Sequence, residues 1–228
     1  MKQGGSDAAK RAAGEAAAEE VADGMVVGLG TGSTAAHAIR AIGRQVDAGL
    51  DVAGVPTSFQ SRELAREAGI PLVDLDEASV DLAIDGADEV ADGDLVKGGG
   101  AAHAREKIVD ASADRFLVVA DPTKEAETLS YPVPLEVLPS ARTTVAESVR
   151  DFGGDPDLRR AERKDGPVVT DNGNLVLDCA FGEISDPGAL AADLASLPGV
   201  VEHGLFVGLA DAVYVGTEDG VTVHELSE

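Results

Sequence analysis

The chain has 228 residues and carries 42 acidic against 18 basic side chains, a formal charge of −24 at pH 7. That length supports one large or two modest domains, and a hydrophobic content of 44% is too high for a disordered acidic tail. The charge excludes a nucleic-acid binder working through clustered Lys and Arg, and no apolar run reaches the roughly 18 residues of a membrane span.

In chain order, Ser6 is placed to cap a first helix reaching about Ala22. The same N-terminal stretch lacks the charged-then-apolar pattern of an export signal. The apolar run Met25 to Gly30 reads as a buried strand, followed by Thr31-Gly32-Ser33-Thr34 and a helix from Ala35 to about Val46. Strands are expected at Asp51–Val55, Ile70–Leu75 and Val80–Ile84, with a helix at Phe59–Ala68. A turn at Asp92-Gly93 precedes Lys97-Gly98-Gly99-Gly100, a helix from about Ala101 to Ser112, and a strand at Arg115–Ala120. Strands alternating with helices over short loops make a mostly parallel α/β sheet.

From Tyr131 the pattern changes. Pro132, Pro134 and Pro139 mark a connection, and a helix is expected from about Arg142 to Phe152. Val168 to Leu177 carries Asn172-Gly173 between two strand-like runs, a hairpin signal. A helix over Pro187–Leu197 and a strand over Val200–Phe206 complete an α+β unit, and Ala212–Val215 with Val221–Glu225 form a last hairpin. The single cysteine, Cys179, cannot make an internal disulfide and falls on a strand face with Leu175 and Leu177, so it is expected in a core. The expected compartment is the cytoplasm.

The acidity is spread along the chain and accompanied by only six lysines. This suits a protein built for high salt, where the Debye length is about 3 Å at 1 M and self-repulsion is screened. Composition alone leaves an ordinary acidic cytosolic protein open. Either way the few lysines are not surface filler.

Three stretches carry chemistry. Gly28 to Thr34, between strand and helix, offers backbone N–H groups and the hydroxyls of Thr31, Ser33 and Thr34 to an anion. It is neither a dinucleotide fingerprint, since Ser33 stands where glycine is required, nor a P-loop, so a single small phosphate suits it better. The competing reading is a glycine turn whose hydroxyls cap the next helix. Asp85-Gly86-Ala87-Asp88-Glu89 follows an apolar strand, where carboxylates can meet a ligand; an Asp-Gly turn is the plainer alternative. Lys97 with Gly98, Gly99 and Gly100 exposes further donors before a helix carrying Glu106, a candidate general base flanked by Arg105 and Lys107. Lys124 follows the next strand. The four histidines show no metal-ligand spacing beyond a weak His103-x-x-Glu106.

Taken together, the order of Gly30-Thr31-Gly32-Ser33-Thr34, Asp85-Gly86-Ala87-Asp88-Glu89 and Lys97-Gly98-Gly99-Gly100 with Arg105-Glu106-Lys107 closely resembles ribose-5-phosphate isomerase of the A type. The likeness continues through Ala120-Asp121-x-x-Lys124, Pro134-Leu135-Glu136-Val137, Val169 to Asn174 and Pro198 to Val201. It implies a Rossmann-like domain (residues 1–130 and 207–228) holding an inserted α+β domain (131–206). It also implies an aldose–ketose isomerase acting through an enediol(ate), without cofactor or metal, as a homodimer or homotetramer, its only small-molecule partner a sugar phosphate. By position, Thr31 to Thr34, Asp85 to Asp88, Lys97 to Gly100 and Lys124 would meet substrate, the last its phosphate. Glu106 would move the proton, Asp85 and Asp88 would be the catalytic carboxylates of their stretch, with Asp85 assisting ring opening, and Lys97 would stabilise the oxyanion. Lys10 is a further candidate near the substrate. A sugar-phosphate deaminase or lactonase, or a non-catalytic sugar-phosphate sensor, would share the glycine-rich phosphate loop.

Overall fold

The computed structural model describes residues 5–163 and 165–226. Two compact units emerge: residues 5–87, 105–125 and 208–226 form the first, and 88–104 with 126–207 the second. The change of pattern at Tyr131 therefore falls inside the second unit, which also takes in the triple-glycine segment.

The first unit opens with α1 (Asp7–Ala18), capped by the Ser6 hydroxyl accepting from the Ala9 N–H at 3.2 Å. α1 ends four residues short of the expected Ala22. Then come β1 (Val26–Leu29), α2 (Ala35–Asp47), β2 (Ala53–Pro56), α3 (Phe59–Glu67) and β3 (Val80–Gly86). The expected strand at Ile70–Leu75 is absent. Its backbone follows β2 only through Gly54 and Leu72, because Pro71 has no N–H to extend the ladder.

Within the second unit lie β4 (Glu89–Ala91) and β5 (Asp94–Val96), joined at Asp92 and Gly93 with φ of 49° and 87°. Positive φ at both central residues is the turn that matches the twist of a tight hairpin. Helix α4 (His103–Ser112) leads to β6 (Ala113–Ala120) of the first unit. In the second unit, β7 (Val133–Val137), α5 (Arg142–Asp151), β8 (Asp155–Leu158), β9 (Leu175–Ala180), α6 (Pro187–Ala195), β10 (Val200–His203) and β11 (Leu205–Phe206) follow. β12 (Ala212–Gly216) and β13 (Val221–Glu225) return to the first.

The first unit is built on a six-stranded sheet in the order β13-β12-β6-β3-β1-β2, parallel except for the antiparallel edge strand β13. Side chains alternate between its faces. Val27, Leu29, Leu82, Ile84, Leu117, Val119 and Tyr214 point to one face, where they pack with Ala13 and Ala17 of α1 and Ile39 and Ile42 of α2. Each fully buried Leu or Ile contributes roughly 1.5–3 kcal/mol. Small residues let α1 come close: a Cβ on Gly14 would stand 2.8 Å from the Ala38 backbone nitrogen. The opposite face holds Gly28, Ala83 and Asp85, and there α4 packs, its Val109 side chain occupying the space a Cβ on Gly28 would need.

The second unit has a four-stranded sheet, β10-β7-β9-β8, and a three-stranded one, β11-β5-β4, sharing a core that includes Val96, Leu135, Val137, Leu177, Cys179 and Leu205. Burial pushes the Cys179 thiol up to about 12, which makes it inert packing. Three expectations need correction here. The proline-marked connection contains the central strand β7; Pro134 is tolerated because β10 pairs only as far as Leu135, and the Pro134 carbonyl instead accepts from the Gly204 N–H at 2.7 Å. The Asn172-Gly173 turn exists, but the run before it contributes only a Val169–Leu175 bridge; β9 ladders with β7 and with β8, a strand the sequence did not announce. Finally, the strand expected over Val200–Phe206 breaks at Gly204 into β10 and β11, which join different sheets. A Cβ on Gly204 would lie 2.2 Å from the Lys97 carbonyl oxygen.

One anchor of the first unit is open to titration. The Tyr214 hydroxyl donates to Glu20 Oε1 at 3.0 Å while Arg115 Nη1 donates to Oε2 at 2.8 Å. The Arg115 bond, helped by Tyr214, holds Glu20 below the usual carboxylate range. Burial and the bond to Glu20 push Tyr214 up to about 12. The folded phenol thus binds its proton more tightly than the unfolded one near 10, so this stability is fully present below about pH 10 and is lost as pH rises towards 12. In a Tyr131→Phe variant, which leaves Tyr214 as the remaining tyrosine, ultraviolet tyrosinate absorbance of the folded protein should rise with a midpoint near 12. A midpoint at the ordinary value near 10 would mean that the phenol is neither buried nor bonded to Glu20 as described.

Candidate active site

The strand order determines where the first unit can take a ligand. From β1 the chain moves to β2 on one side, then to β3 on the other, so the order reverses between β1 and β3. In open parallel sheets such a reversal leaves a crevice outside the C-terminal strand ends. Gly30 to Thr34 and Asp85 stand at those two ends.

They are tied together there. Asp85 is fully buried, and its Oδ1 accepts from the Thr31 N–H at 2.9 Å and the Gly86 N–H at 2.7 Å. Gly30 permits this approach, since a Cβ on it would lie 2.5 Å from the Asp85 Cα. Thr31 Oγ1 donates to Ser58 Oγ at 2.7 Å and lies 2.8 Å from Thr57 Oγ1, whose own bond goes to the Leu29 carbonyl. Gly32 has φ of +111°, open space where a Cβ would stand, and Ser33 is exposed. Thr34 is buried at the N-cap of α2 without a side-chain capping bond, so the capping alternative for this loop does not describe it.

α4 carries the chain from the β3 edge back to the start of β6, on the sheet face that also carries Asp85. Its first turn, which favours negative charge, holds Glu106, only 4% exposed. Asp110, one turn on, is buried on the same helix side and was not singled out from the sequence; its spacing of four from Glu106 was the available signal. Arg105 turns aside, its Nε donating to the Pro56 carbonyl at 3.0 Å and its guanidinium lying 3.7 Å from Asp74. Beyond β6, Asp121 is fully buried and caps the 3₁₀ turn Pro122–Lys124, which carries the half-buried Lys124. Burial works to raise the Asp121 carboxyl. Hydrogen bonds from Thr123 and the Gly5 N–H, with the Lys124 charge, outweigh it and hold the group below its usual range.

The second unit holds the remaining candidates. Asp88 Oδ2 accepts from the Gly99 N–H at 2.6 Å. Lys97 is 2% exposed, its ammonium 5.2 Å from the centre of the Phe206 ring and its N–H bonded to the Gly204 carbonyl at 2.8 Å. Gly98 has φ of +110° and lies against His103, where a Cβ would be 2.7 Å from Nδ1. The Glu136 N–H donates to His103 Nε2 at 3.1 Å, and the same nitrogen lies 3.3 Å from the Glu202 carbonyl oxygen. Gly100 is exposed and Ala87, at the end of the first unit, half-buried. The Asp85–Glu89 stretch is thus no simple turn. Asp85 holds Thr31, Asp88 holds Gly99, and the buried Glu89 accepts from the N–H groups of Ser130 and Tyr131 at 2.5 and 2.7 Å. The Thr170-to-Asn174 motif has a similar cause: Thr170, Asn172 and Asn174 all donate to Oε1 of the buried Glu136, at 2.8–3.0 Å.

Among the described residues, no group of three or more His, Cys, Asp or Glu could hold a metal ion, and no helix is long and apolar enough to cross a membrane.

Comparison with known proteins places the chain in a family. The model of "Ribose 5-phosphate isomerase A (phosphoriboisomerase A)" matches residues 53–220. The chain is 80% identical over 228 residues to a ribose-5-phosphate isomerase A of Haloarcula marismortui, covering all of both chains. It is 71% identical to that of Halorubrum lacusprofundi, covering 96% of this chain and 97% of the relative. Ribose 5-phosphate isomerase A of Methanocaldococcus jannaschii superposes with a TM-score of 0.92 at 46% identity, over 95% of this chain and 97% of the other. A D-ribose-5-phosphate isomerase solved with phospho-erythronic acid gives 0.93 at 43% identity, again over 95% and 97%. Sequence identity along the whole chain and a shared architecture agree: this chain belongs to the ribose-5-phosphate isomerase A family.

Proposed function

We infer that this chain interconverts D-ribose 5-phosphate and D-ribulose 5-phosphate by proton transfer between carbons 1 and 2. The observation that carries the assignment of roles is the pair of buried carboxylates, Asp85 and Glu106, on one face of the first unit's sheet at its C-terminal side. The family relationship supports the substrate, and a relative solved with phospho-erythronic acid, a phosphorylated sugar acid, agrees with it.

The reaction requires an open chain, a base, and donors for an oxygen that gains charge. Asp85, its Oδ1 held by two backbone N–H groups, assists opening of the furanose ring. Glu106 takes the proton from carbon 2 of the aldose; the electron pair forms the carbon 1–carbon 2 double bond as the carbonyl becomes an oxyanion. Lys97 stabilises that charge, and an ammonium in a water-poor setting does so more strongly than one in solvent. The oxyanion on carbon 1 takes up a proton and the hydroxyl on carbon 2 gives one up, so that return of the first proton from Glu106 to carbon 1 removes the double bond and leaves a hydroxyl on carbon 1 and the ketone at carbon 2. Lys124 and the Thr31–Thr34 loop grip the phosphate; Gly86, Ala87, Asp88 and Gly98 to Gly100 contribute the rest of the substrate contacts. These steps use side chains and backbone amides, with no cofactor. We place the protein in the cytoplasm as a homodimer or homotetramer, following the family expectation.

Ribose 5-phosphate supplied to the protein in molar salt should yield a ketose, followed directly by colour reaction or coupled assay. Absence of ketose from folded protein overturns the reading. Glu106→Gln should lower kcat by at least about 100-fold, the scale of a lost general base, with the circular dichroism spectrum unchanged; an unaltered kcat removes Glu106 as the base. Lys124→Ala should raise KM by about 10–100-fold, as loss of a hydrogen bond to a charged group does, and leave kcat nearly intact. A change confined to kcat would take Lys124 away from the phosphate.

A further inference from the structure

The second unit contains a charged pair that the proposed mechanism does not use. Arg159 follows β8, and its side chain is only 16% exposed. Nε donates to Asp178 Oδ2 at 2.8 Å and Nη2 donates to Asp178 Oδ1, a two-pronged pairing. The other edge of the guanidinium is spent on backbone: Nη1 donates to the carbonyls of Gly98 at 2.8 Å and Gly99 at 3.2 Å. An exposed ion pair in a strongly acidic chain at high salt is worth little. This one is screened from water on one edge and grips the triple-glycine segment with the other.

Glycine is the residue least able to hold its own conformation, so three in a row need an external tie to keep their amides in one direction. A trans peptide points its N–H opposite to its C=O. Holding the Gly98 carbonyl therefore aims the Gly99 N–H, which is the donor to Asp88 Oδ2 at 2.6 Å. Holding the Gly99 carbonyl likewise aims the Gly100 N–H away from Arg159. The positive guanidinium behind both peptides also strengthens their N–H groups as donors. We propose that Arg159, locked by Asp178, is a positioning residue for the isomerisation, keeping the Gly100 amide and, through the Gly99 N–H, the Asp88 carboxylate in one orientation towards substrate. The proposal rests on the reading above of Asp88 and Gly98 to Gly100 as substrate-binding.

The test compares wild type, Arg159→Gln, Arg159→Lys, Asp178→Asn and Glu106→Gln with ribose 5-phosphate in molar salt, each with a thermal unfolding curve. Arg159→Gln should lower kcat by about 10-fold or more with KM within about threefold, because donors aimed at developing charge act on the transition state. Its unfolding midpoint should stay far above the assay temperature. Arg159→Lys should recover part of that kcat, since one ammonium reaches the carbonyls or Asp178 but not both. Asp178→Asn, which keeps the carbonyl bonds but loosens the fork, should fall less than Arg159→Gln. A folded Arg159→Gln with kcat within about twofold of wild type, a loss confined to KM, or failure of both the Arg159→Gln and Asp178→Asn variants to fold would overturn the proposal. Full activity in Glu106→Gln would instead overturn the underlying reading, and the two failures are told apart in the same experiment.

Discussion

The first unit depends on one carboxylate. Asp85 is fully buried at the end of a central parallel strand, where an unsatisfied charge would be costly. Two backbone N–H groups meet its Oδ1, and one of them, from Thr31, belongs to the loop after the neighbouring strand. The same bond that satisfies the charge thus sets the position of the glycine-rich loop. Gly30 makes the approach sterically possible, and the hydroxyls of Thr57 and Ser58 secure Thr31 from the other side. An anion of the protein's own thus holds the glycine-rich loop in place.

Charge is the second constraint. A chain at −24 must bind a doubly charged phosphate ester, so attraction has to be local. In the proposed function this falls to scarce ammonium groups and to peptide amides, which carry partial positive charge at no cost in net charge. Lys97, 2% exposed, is the extreme case: Phe206 lies against its ammonium, and its own backbone is tied to Gly204. Relatives from halophilic archaea share most of the sequence, which agrees with an acid excess suited to screening by salt.

In the second unit, buried acids repeatedly serve as anchors for backbone and turns. Asp88, Glu89 and Glu136 each take N–H or amide donors from a segment distant in sequence, and Asp178 locks the guanidinium that holds the glycine carbonyls. Each satisfies a group whose burial would otherwise be unfavourable. The motifs containing these residues are therefore explained in part by tertiary contacts.

Local pattern was enough to read most of the alternation of strand and helix through Ala120, though not the absence of a strand at Ile70–Leu75 or the short β4 and β5, and also the Ser6 cap, the last hairpin and the burial of Cys179, because periodicity, capping and turn chemistry act over a few residues. The same is true of the order of glycine-rich and acidic motifs, from which the family and its expected site residues follow. Other features depended on partners far along the chain. β7 was hidden by prolines whose missing N–H groups matter only once its neighbours are known, and β8 carries no apolar alternation of its own. The break at Gly204 depends on the Lys97 carbonyl, about a hundred residues away in sequence. Nothing local to Arg159 shows that its guanidinium reaches Gly98 and Gly99. Sequence alone thus determined the family and the candidate residues for its chemistry, whereas the tertiary structure decided what holds those residues still, since hydrogen bonds between distant segments exist only after the chain has folded.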